Sequence, residues 1–383
     1  MRTSRSLVVV AATASIALLA GCAAEQPSLA PDRKVHSYLE VDKRTFASDD
    51  ALELLVDETQ PGCSGAVGVR GEIVWAGARG IADLSTGTEV TTATRFDMAS
   101  VAKQFTATAI LMLQREGKLA LSDTIGTYIE GLPAWGSKVT LDQLMHHTSR
   151  VRDYWVALDD DGLGFSDPVS HEYTLDAIRR MTRLSDTIGY EYSNSNYVLL
   201  AEVVQRVSGE PFPQFLDERI FTPLGLDMVL SPGLIAPDVA LSYDDNLNYQ
   251  PPGWAAYGAI GIYTTPSELA RWGDQYRAGD IIQDDFAVGA SDEGTGEFYA
   301  AGMDIEVDGD LNHNGRFGGY VTTFTVSADR ETTIAVMCNG HLSNRFGLAD
   351  ALWEIWGTPA DSATDAPSDE TDGADDSEGV EEG

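Results

Sequence analysis

Met98-Ala99-Ser100-Val101-Ala102-Lys103-Gln104-Phe105 is the stretch on which the reading of this chain turns. It reads as the first turn of a helix that continues through Thr106-Ala107-Thr108-Ala109-Ile110-Leu111-Met112-Leu113. The helix is expected to stop near Gly117, a residue type favoured just past a helix end. Ser100 and Lys103 are three apart, so on a helix they share a face and can touch. A serine hydroxyl is inert at neutral pH until a neighbouring base takes its proton. A lysine partly stripped of water can have its pKa lowered enough to do that. At a helix start, Ser100 also has its own N–H free to donate to a developing oxyanion. Alone, a Ser three before a Lys is a weak signal, and its context decides the matter.

The chain has 383 residues, enough for one large domain or two ordinary ones. A hydrophobic content of 43% with 14 Tyr, 12 Phe and 7 Trp supplies a large core, which excludes a wholly disordered protein. The net charge of -35 excludes nucleic acid as a partner, because phosphate neutralisation needs clustered Lys and Arg.

Arg2 and Arg5 precede an apolar run, Leu7 to Leu19, that is too short for an ordinary membrane span. The run ends in Leu19-Ala20-Gly21-Cys22, which resembles a bacterial lipoprotein cleavage box. Residues 1–21 are therefore expected to be a signal peptide, with Cys22 the lipidated first residue of an exported, membrane-anchored protein of the cell envelope. An ordinary signal peptide cleaved near Ala23-Ala24 is the competing reading. Residues 22–45, with Pro27 and Pro31, read as a tether. Residues 358–383 are rich in Asp and Glu, without Lys or Arg, and are expected to be a disordered acidic tail.

The body between these ends is read in order. Cys63 to Val69 and Glu72 to Gly77 flank Arg70-Gly71 as a hairpin. From the Ser100 helix to about Trp254 the pattern is helical with long loops. Thr140 is placed to cap Leu141 to Met145, Tyr197 to Val207 is a strongly apolar helix, and Pro213 to Phe221 is a shorter one. Strands resume at Gly261-Ile262-Tyr263 and at Phe298 to Val307, Val321 to Ala328 and Thr332 to Cys338. A helix follows Pro266, and another covers Phe346 to Trp356. This order implies an α+β fold: an antiparallel β-sheet flanked by helices, with an all-helical subdomain inserted over about residues 96–254.

Two further motifs sit where chemistry can use them. Tyr192-Ser193-Asn194 lies in a loop just before the apolar helix. A phenol there can relay a proton, and an Asn amide can orient a substrate carbonyl. His313-Asn314-Gly315-Arg316-Phe317-Gly318-Gly319 precedes a strand. Its glycines allow close approach of backbone to a ligand, and the N–H after Gly315 can be a second oxyanion donor.

The three motifs in this order resemble the serine β-lactamase and penicillin-binding-protein superfamily, of which Ser-x-x-Lys is a signature. The similarity extends to Leu144-Met145-His146-His147-Thr148-Ser149 with Asp153-Tyr154, to Phe221-Thr222-Pro223-Leu224-Gly225-Leu226 and to Gly261 through Pro266. It covers about residues 50–357, which places a hydrolase domain over 46–357, and looks like the branch of class C β-lactamases, D-aminopeptidases, D,D-carboxypeptidases and related esterases. The resemblance implies Ser100 as nucleophile, Lys103 as its base and Tyr192 as proton shuttle, through an acyl-enzyme without metal or cofactor. It implies Asn194, His313, Gly315 and Arg316 as substrate-binding residues, the N–H groups of Ser100 and Arg316 forming the oxyanion hole. Whether Lys103 or Tyr192 takes the serine proton is open at this level. The resemblance also makes the first and last strands antiparallel neighbours, which implies a Cys63–Cys338 disulfide.

The third box departs from the Lys-Thr-Gly of many β-lactamases. His in place of Lys is mostly neutral at pH 7, and Asn314 replaces a hydroxyl; Arg316 or Arg345 would have to supply a cation. The substrate expected is therefore a D-amino peptide, D,D-peptide or carboxylic ester, with cell-wall-derived peptides among the candidates and a β-lactam as the alternative. A non-catalytic cell-wall-binding or penicillin-sensing lipoprotein is the reading from another class. The chain is expected to act as a monomer. Asp310 to Gly315 matches the opening of a calcium loop, but Val321 stands where the bidentate Glu is needed, so no metal is expected.

Overall fold

The computed structural model describes residues 33–340 and 345–357. The signal peptide, Cys22, the acidic tail and the side chain of Arg345 lie outside the described residues. The chain divides into two compact units, Met1–Glu40 and Val41–Gly383, and of the first only the start of a helix is described. That helix, α1 (Arg33–Leu55), begins inside the stretch expected as a tether. The hairpin at Arg70-Gly71 follows as β1 (Cys63–Val69) and β2 (Glu72–Arg79), then a small ribbon of β3 (Ile81–Asp83) and β4 (Thr88–Glu89). β5 (Phe96–Asp97) leads through a 3-10 turn, Ala99–Ala102, into α2 (Lys103–Arg115).

The helical insertion contains α3 (Leu141–Met145), α4 (Tyr154–Asp160), α5 (His171–Arg180), α6 (Asn194–Ser208), α7 (Phe212–Leu216) and α8 (Thr222–Leu224). Thr140 caps α3 in a capping box with Gln143, satisfying two otherwise orphaned N–H groups. The chain leaves the insertion through β6 (Val229–Leu230) and β7 (Ile262–Thr264), which pair with β5 in a three-stranded sheet. α9 (Pro266–Gly273) and α10 (Gln275–Ala278) follow. The chain then enters β8 (Ser291–Asp292), β9 (Phe298–Tyr299), β10 (Asp304–Ile305), β11 (Leu311–Phe317), β12 (Tyr320–Val326) and β13 (Thr332–Cys338), and ends in α11 (Arg345–Trp356).

The main sheet is antiparallel with strand order β2-β1-β13-β12-β11-β10-β9-β8, so the first and last long strands are neighbours just inside its β2 edge. Cys63 and Cys338 stand opposite each other in that register and are joined by a disulfide. One face of the sheet is covered by α1 and α11, whose Leu52, Leu348, Leu352 and Trp356, with Val56 just after α1, pack on Val67, Ile334 and Val336. The other face packs against α2, α6 and α9 in a larger core. All seven residues of β13 are buried, as expected of a strand covered on both faces. No helix among the described residues is long and apolar enough to cross a membrane.

Three expectations are corrected in detail. Ser100 stands in a 3-10 turn, and the α-helix starts at Lys103. The strand expected over Phe298 to Val307 is two short strands. Gly302 (φ 79) turns the chain between them, against the start of α2, where a Cβ would lie 2.6 Å from the Gln104 backbone. The helix expected over Pro213 to Phe221 is α7 followed by a π-turn, Asp217–Phe221.

Candidate active site

The site is built where β5, the 3-10 turn, the start of α6 and β11 converge. Asp97 ends β5, and its Oδ1 accepts the N–H groups of Ala99 (2.8 Å) and Gly261 (3.1 Å). Ala99 is held at φ 53, the left-handed region, which costs a residue with a Cβ about 1–2 kcal/mol. That turn presents Ser100 at the front of the helix. Burial raises the Asp97 carboxyl to about 7 against these two bonds.

Lys103 is fully buried. Its Nζ lies 3.1 Å from Ser100 Oγ and donates to Asn194 Oδ1 (2.8 Å) and the Ala259 carbonyl (3.3 Å). A neutral amine has two N–H bonds and one lone pair. Two acceptors are in place for the N–H bonds, and the third direction faces the serine hydroxyl. Desolvation lowers the ammonium pKa from 10.5 to about 7, with the Asp153 carboxylate opposing. The Asp153 carboxylate also accepts both the backbone N–H and the side-chain Nδ2–H of Asn194, each at 2.8 Å, which fixes the amide with its oxygen toward Lys103.

Tyr192 sits with its ring 4.9 Å from Lys103 Nζ. Its phenol pKa is raised, burial outweighing the hydrogen bond with Ser100, so the group is protonated at neutral pH even though part of the ring reaches the surface. His147 stacks on Tyr192 at 4.3 Å between centroids. Its Nδ1 accepts from Ser193 N–H (3.2 Å) and Asn196 Nδ2 (2.9 Å), leaving the proton on Nε2. Burial, then the Lys103 charge, holds His147 well below the usual imidazole range.

β11 closes the site from the other side. A Cβ at Gly315 would lie 2.5 Å from Met98 O and 3.2 Å from Ser100 N, so only glycine lets the strand come this close. The following residue, Arg316, therefore stands in the strand that abuts Ser100. The alternation of β11 turns His313, Gly315 and Phe317 inward and Asn314 and Arg316 outward. His313 was expected at the substrate. The structure places it behind the cavity: His313 is 3% exposed, with Nε2 3.1 Å from Tyr299 Oη and Nδ1 2.8 Å from the Asn314 carbonyl. Burial and the Lys103 charge push it down to about 3.

A cavity of about 650 Å³ opens in front of Ser100, lined by Tyr192, Asn194, Asn314 and Arg316 among others. The structure thus brings together Ser100, Lys103, Tyr192, Asn194, Gly315 and Arg316, and keeps His313 behind them. Sequence reasoning missed Asp97, His147 and Asp153. Asp153 carried a signal, since its Oδ1 also accepts Trp155 N–H (3.0 Å) as the N-cap of α4. His147 stood in a stretch that carries the family resemblance but was given no role, and nothing in the local sequence marks Asp97. Glu306, Asp308 and Asp310 cluster at the calcium-like stretch, but Asn312 to Gly315 is strand there and not a loop.

Comparison with known proteins gives the family and the fold. The family described as Beta-lactamase matches residues 47–354, and the chain belongs to it. A putative penicillin-binding protein of Bacillus subtilis (strain 168) is 32% identical over 197 residues, covering 49% of this chain and 48% of the relative. A D-aminopeptidase of Brucella anthropi is 30% identical over 192 residues, covering 50% of this chain and 35% of the relative. The chain thus spans about a third to a half of the length of these curated relatives. Among solved structures, the octameric penicillin-binding protein homologue from Pyrococcus abyssi superposes with a TM-score of 0.68 at 23% identity, covering 85% of this chain and 77% of that one. The D-amino acid amidase from Ochrobactrum anthropi gives 0.69 at 20%, covering 82% and 98%. At these identities the likeness establishes the fold.

Proposed function

We propose that this chain is an exported serine hydrolase that cleaves an amide or ester, a D-amino peptide or a carboxylic ester, through an acyl-enzyme on Ser100. The observation that carries this reading is the buried Lys103 amine, with a pKa of about 7, 3.1 Å from Ser100 Oγ. Neutral Lys103 takes the Ser100 proton as Oγ attacks the carbonyl. Tyr192 keeps its proton at neutral pH and serves as the relay from the Lys103 ammonium to the leaving nitrogen or oxygen. The N–H groups of Ser100 and Arg316 hold the oxyanion, and Asn194 orients the bound group. Water then attacks the acyl ester and gives a proton to Lys103, and that proton passes to Ser100 Oγ as the ester bond breaks and the carboxylic acid leaves. Neutral, buried His313 does not replace the lysine of the β-lactamase third box, and the preference for peptide or ester over β-lactam rests on that departure. Relatives named as D-aminopeptidases support the same class.

Export rests on Arg2, Arg5, the apolar run to Leu19 and the box ending in Cys22, through which the chain is anchored by lipid. The Cys63–Cys338 disulfide suits an oxidising compartment. The reading is tested by intact mass after exposure to a fluorophosphonate and, separately, to a penicillin. One fluorophosphonate adduct is expected in the native chain and none in Ser100→Ala; no adduct in the native chain overturns the reading. A persisting penicillin adduct assigns a D,D-peptidase-like substrate.

A further inference from the structure

One wall of the cavity takes no part in the chemistry above. Trp155, 38% exposed, and Phe165 line it. Both rings pack on the buried Trp254 behind them, with centroids 5.2 and 5.7 Å away. Trp254 is itself pinned by its Nε1–H, which donates to the Gly164 carbonyl at 3.1 Å. Phe165 also meets Phe317 of β11 edge-on at 4.6 Å. It lies over Gly318 (φ 58), where a Cβ would be 2.7 Å from the ring. Separate stretches of chain thus converge to hold two aromatic faces beside the nucleophile. An aromatic face left to water loses the free energy that an apolar ligand group recovers.

The wall is tied to the reacting groups through one carboxylate. Asp153 Oδ1 caps Trp155, and Asp153 Oδ2 holds the Asn194 amide that binds Lys103. The acidic side chain lining the cavity, Asp244, is engaged within its own loop. Its oxygens accept from Asn246 N, Asn248 N, Asn248 Nδ2 and Gln250 Nε2, all within its own loop. Resting on the serine-hydrolase reading, we propose that Trp155 and Phe165 form the subsite for the substrate's acyl side chain. The substrates are then amides or esters whose acyl group is aromatic or comparably large and apolar. The acyl half stays bonded to Ser100 through both steps, so a wall that holds this half keeps the reacting carbon beside Lys103 throughout.

The test compares kcat/KM of the full chain on p-nitrophenyl 3-phenylpropanoate and p-nitrophenyl acetate, which share a leaving group. The aromatic ester is expected to be favoured by at least about tenfold. Trp155→Ala and, as a second variant, Phe165→Ala each lower that ratio several-fold, while Trp155→Phe retains most of it. A ratio near one, or a ratio unchanged in both alanine variants, overturns the subsite while fluorophosphonate labelling of Ser100 leaves the hydrolase reading standing. Failure of that labelling breaks the hydrolase reading instead. The subsite is then judged by calorimetry on Ser100→Ala, where N-acetyl-phenylalaninamide is expected to bind about tenfold more tightly than N-acetyl-alaninamide. Equal affinities overturn it.

Discussion

The two faces of the main sheet are made from the same strands and do opposite things. Toward α1 and α11 the contacts are Val67, Ile334, Val336, Leu348, Leu352 and Trp356, and the indole of Trp356 finds Ser48 Oγ at 2.8 Å. Toward α2 and α6 the molecule buries Lys103, Asp97, His147, His313 and Asn196. On that side Asp97 Oδ2 and His147 Nε2 have no hydrogen-bond partner among the described residues, and Ala99 is held in a left-handed backbone conformation. Burying polar groups without full compensation costs stability. The first face supplies stability, and the second gives some of it up to keep an amine neutral beside a hydroxyl.

The sharpest way to break this comparison is Lys103→Met, which keeps volume and removes the amine. Hydrolysis is expected to fall by about 10⁴-fold or more. Stability should move the other way. The folded-state pKa of Lys103 is depressed to about 7, so below pH 7 the fold carries a buried ammonium. That costs about 4–5 kcal/mol, less what Asn194 and Ala259 lose as acceptors of Lys103 in the variant. Between pH 7 and 10.5 only the unfolded chain holds the proton, so wild-type stability rises with pH and the advantage of Met shrinks. Denaturant midpoints at pH 6 and pH 9 check this, with the larger gain at pH 6. The wild-type kcat/KM should rise with pH and level off above about 7.

The opposite face is probed by replacing Cys63 and Cys338 with serine, which is expected to cost about 2–5 kcal/mol in denaturant unfolding. Activity of the folded fraction should not change; a large loss of kcat would mean the faces are not separable. Gly315→Ala tests the boundary between them. The added methyl pushes β11 away from Ser100, and kcat should fall about a hundredfold as the oxyanion donors separate. The smallest effect expected is that of Ser48→Ala, which leaves the Trp356 indole N–H without its acceptor and costs about 1–3 kcal/mol with kcat/KM unchanged.

Much of this was legible in the sequence because it is local. The hairpin at Arg70-Gly71, the capped helix after Thr140, the apolar α6 and strands β12 and β13 follow from side-chain period and turn residues within a few positions. Ser100 and Lys103 were placed by a three-residue spacing that a 3-10 turn running into a helix preserves. The misread segments are those set by contacts distant in the chain. The strand through 298–307 breaks because Gly302 meets the backbone of α2, and the helix over 213–221 closes with a π-turn. His313 was legible as a site motif, but strand alternation turned its ring inward, against Tyr299.

The sequence by itself determined the α+β class, the order of the three motifs and the absence of a lysine from the third. These depend on residue type and on spacing along the chain. The tertiary structure decided the state of each group. A lysine is a base near pH 7 only when neighbours from other segments strip away its water, and no residue adjacent to Lys103 in sequence specifies Ala259, Asn194 or Asp153 around it. The aromatic wall of Trp155, Phe165 and Trp254 is likewise assembled across about a hundred residues of chain, because packing acts through space and not along the backbone.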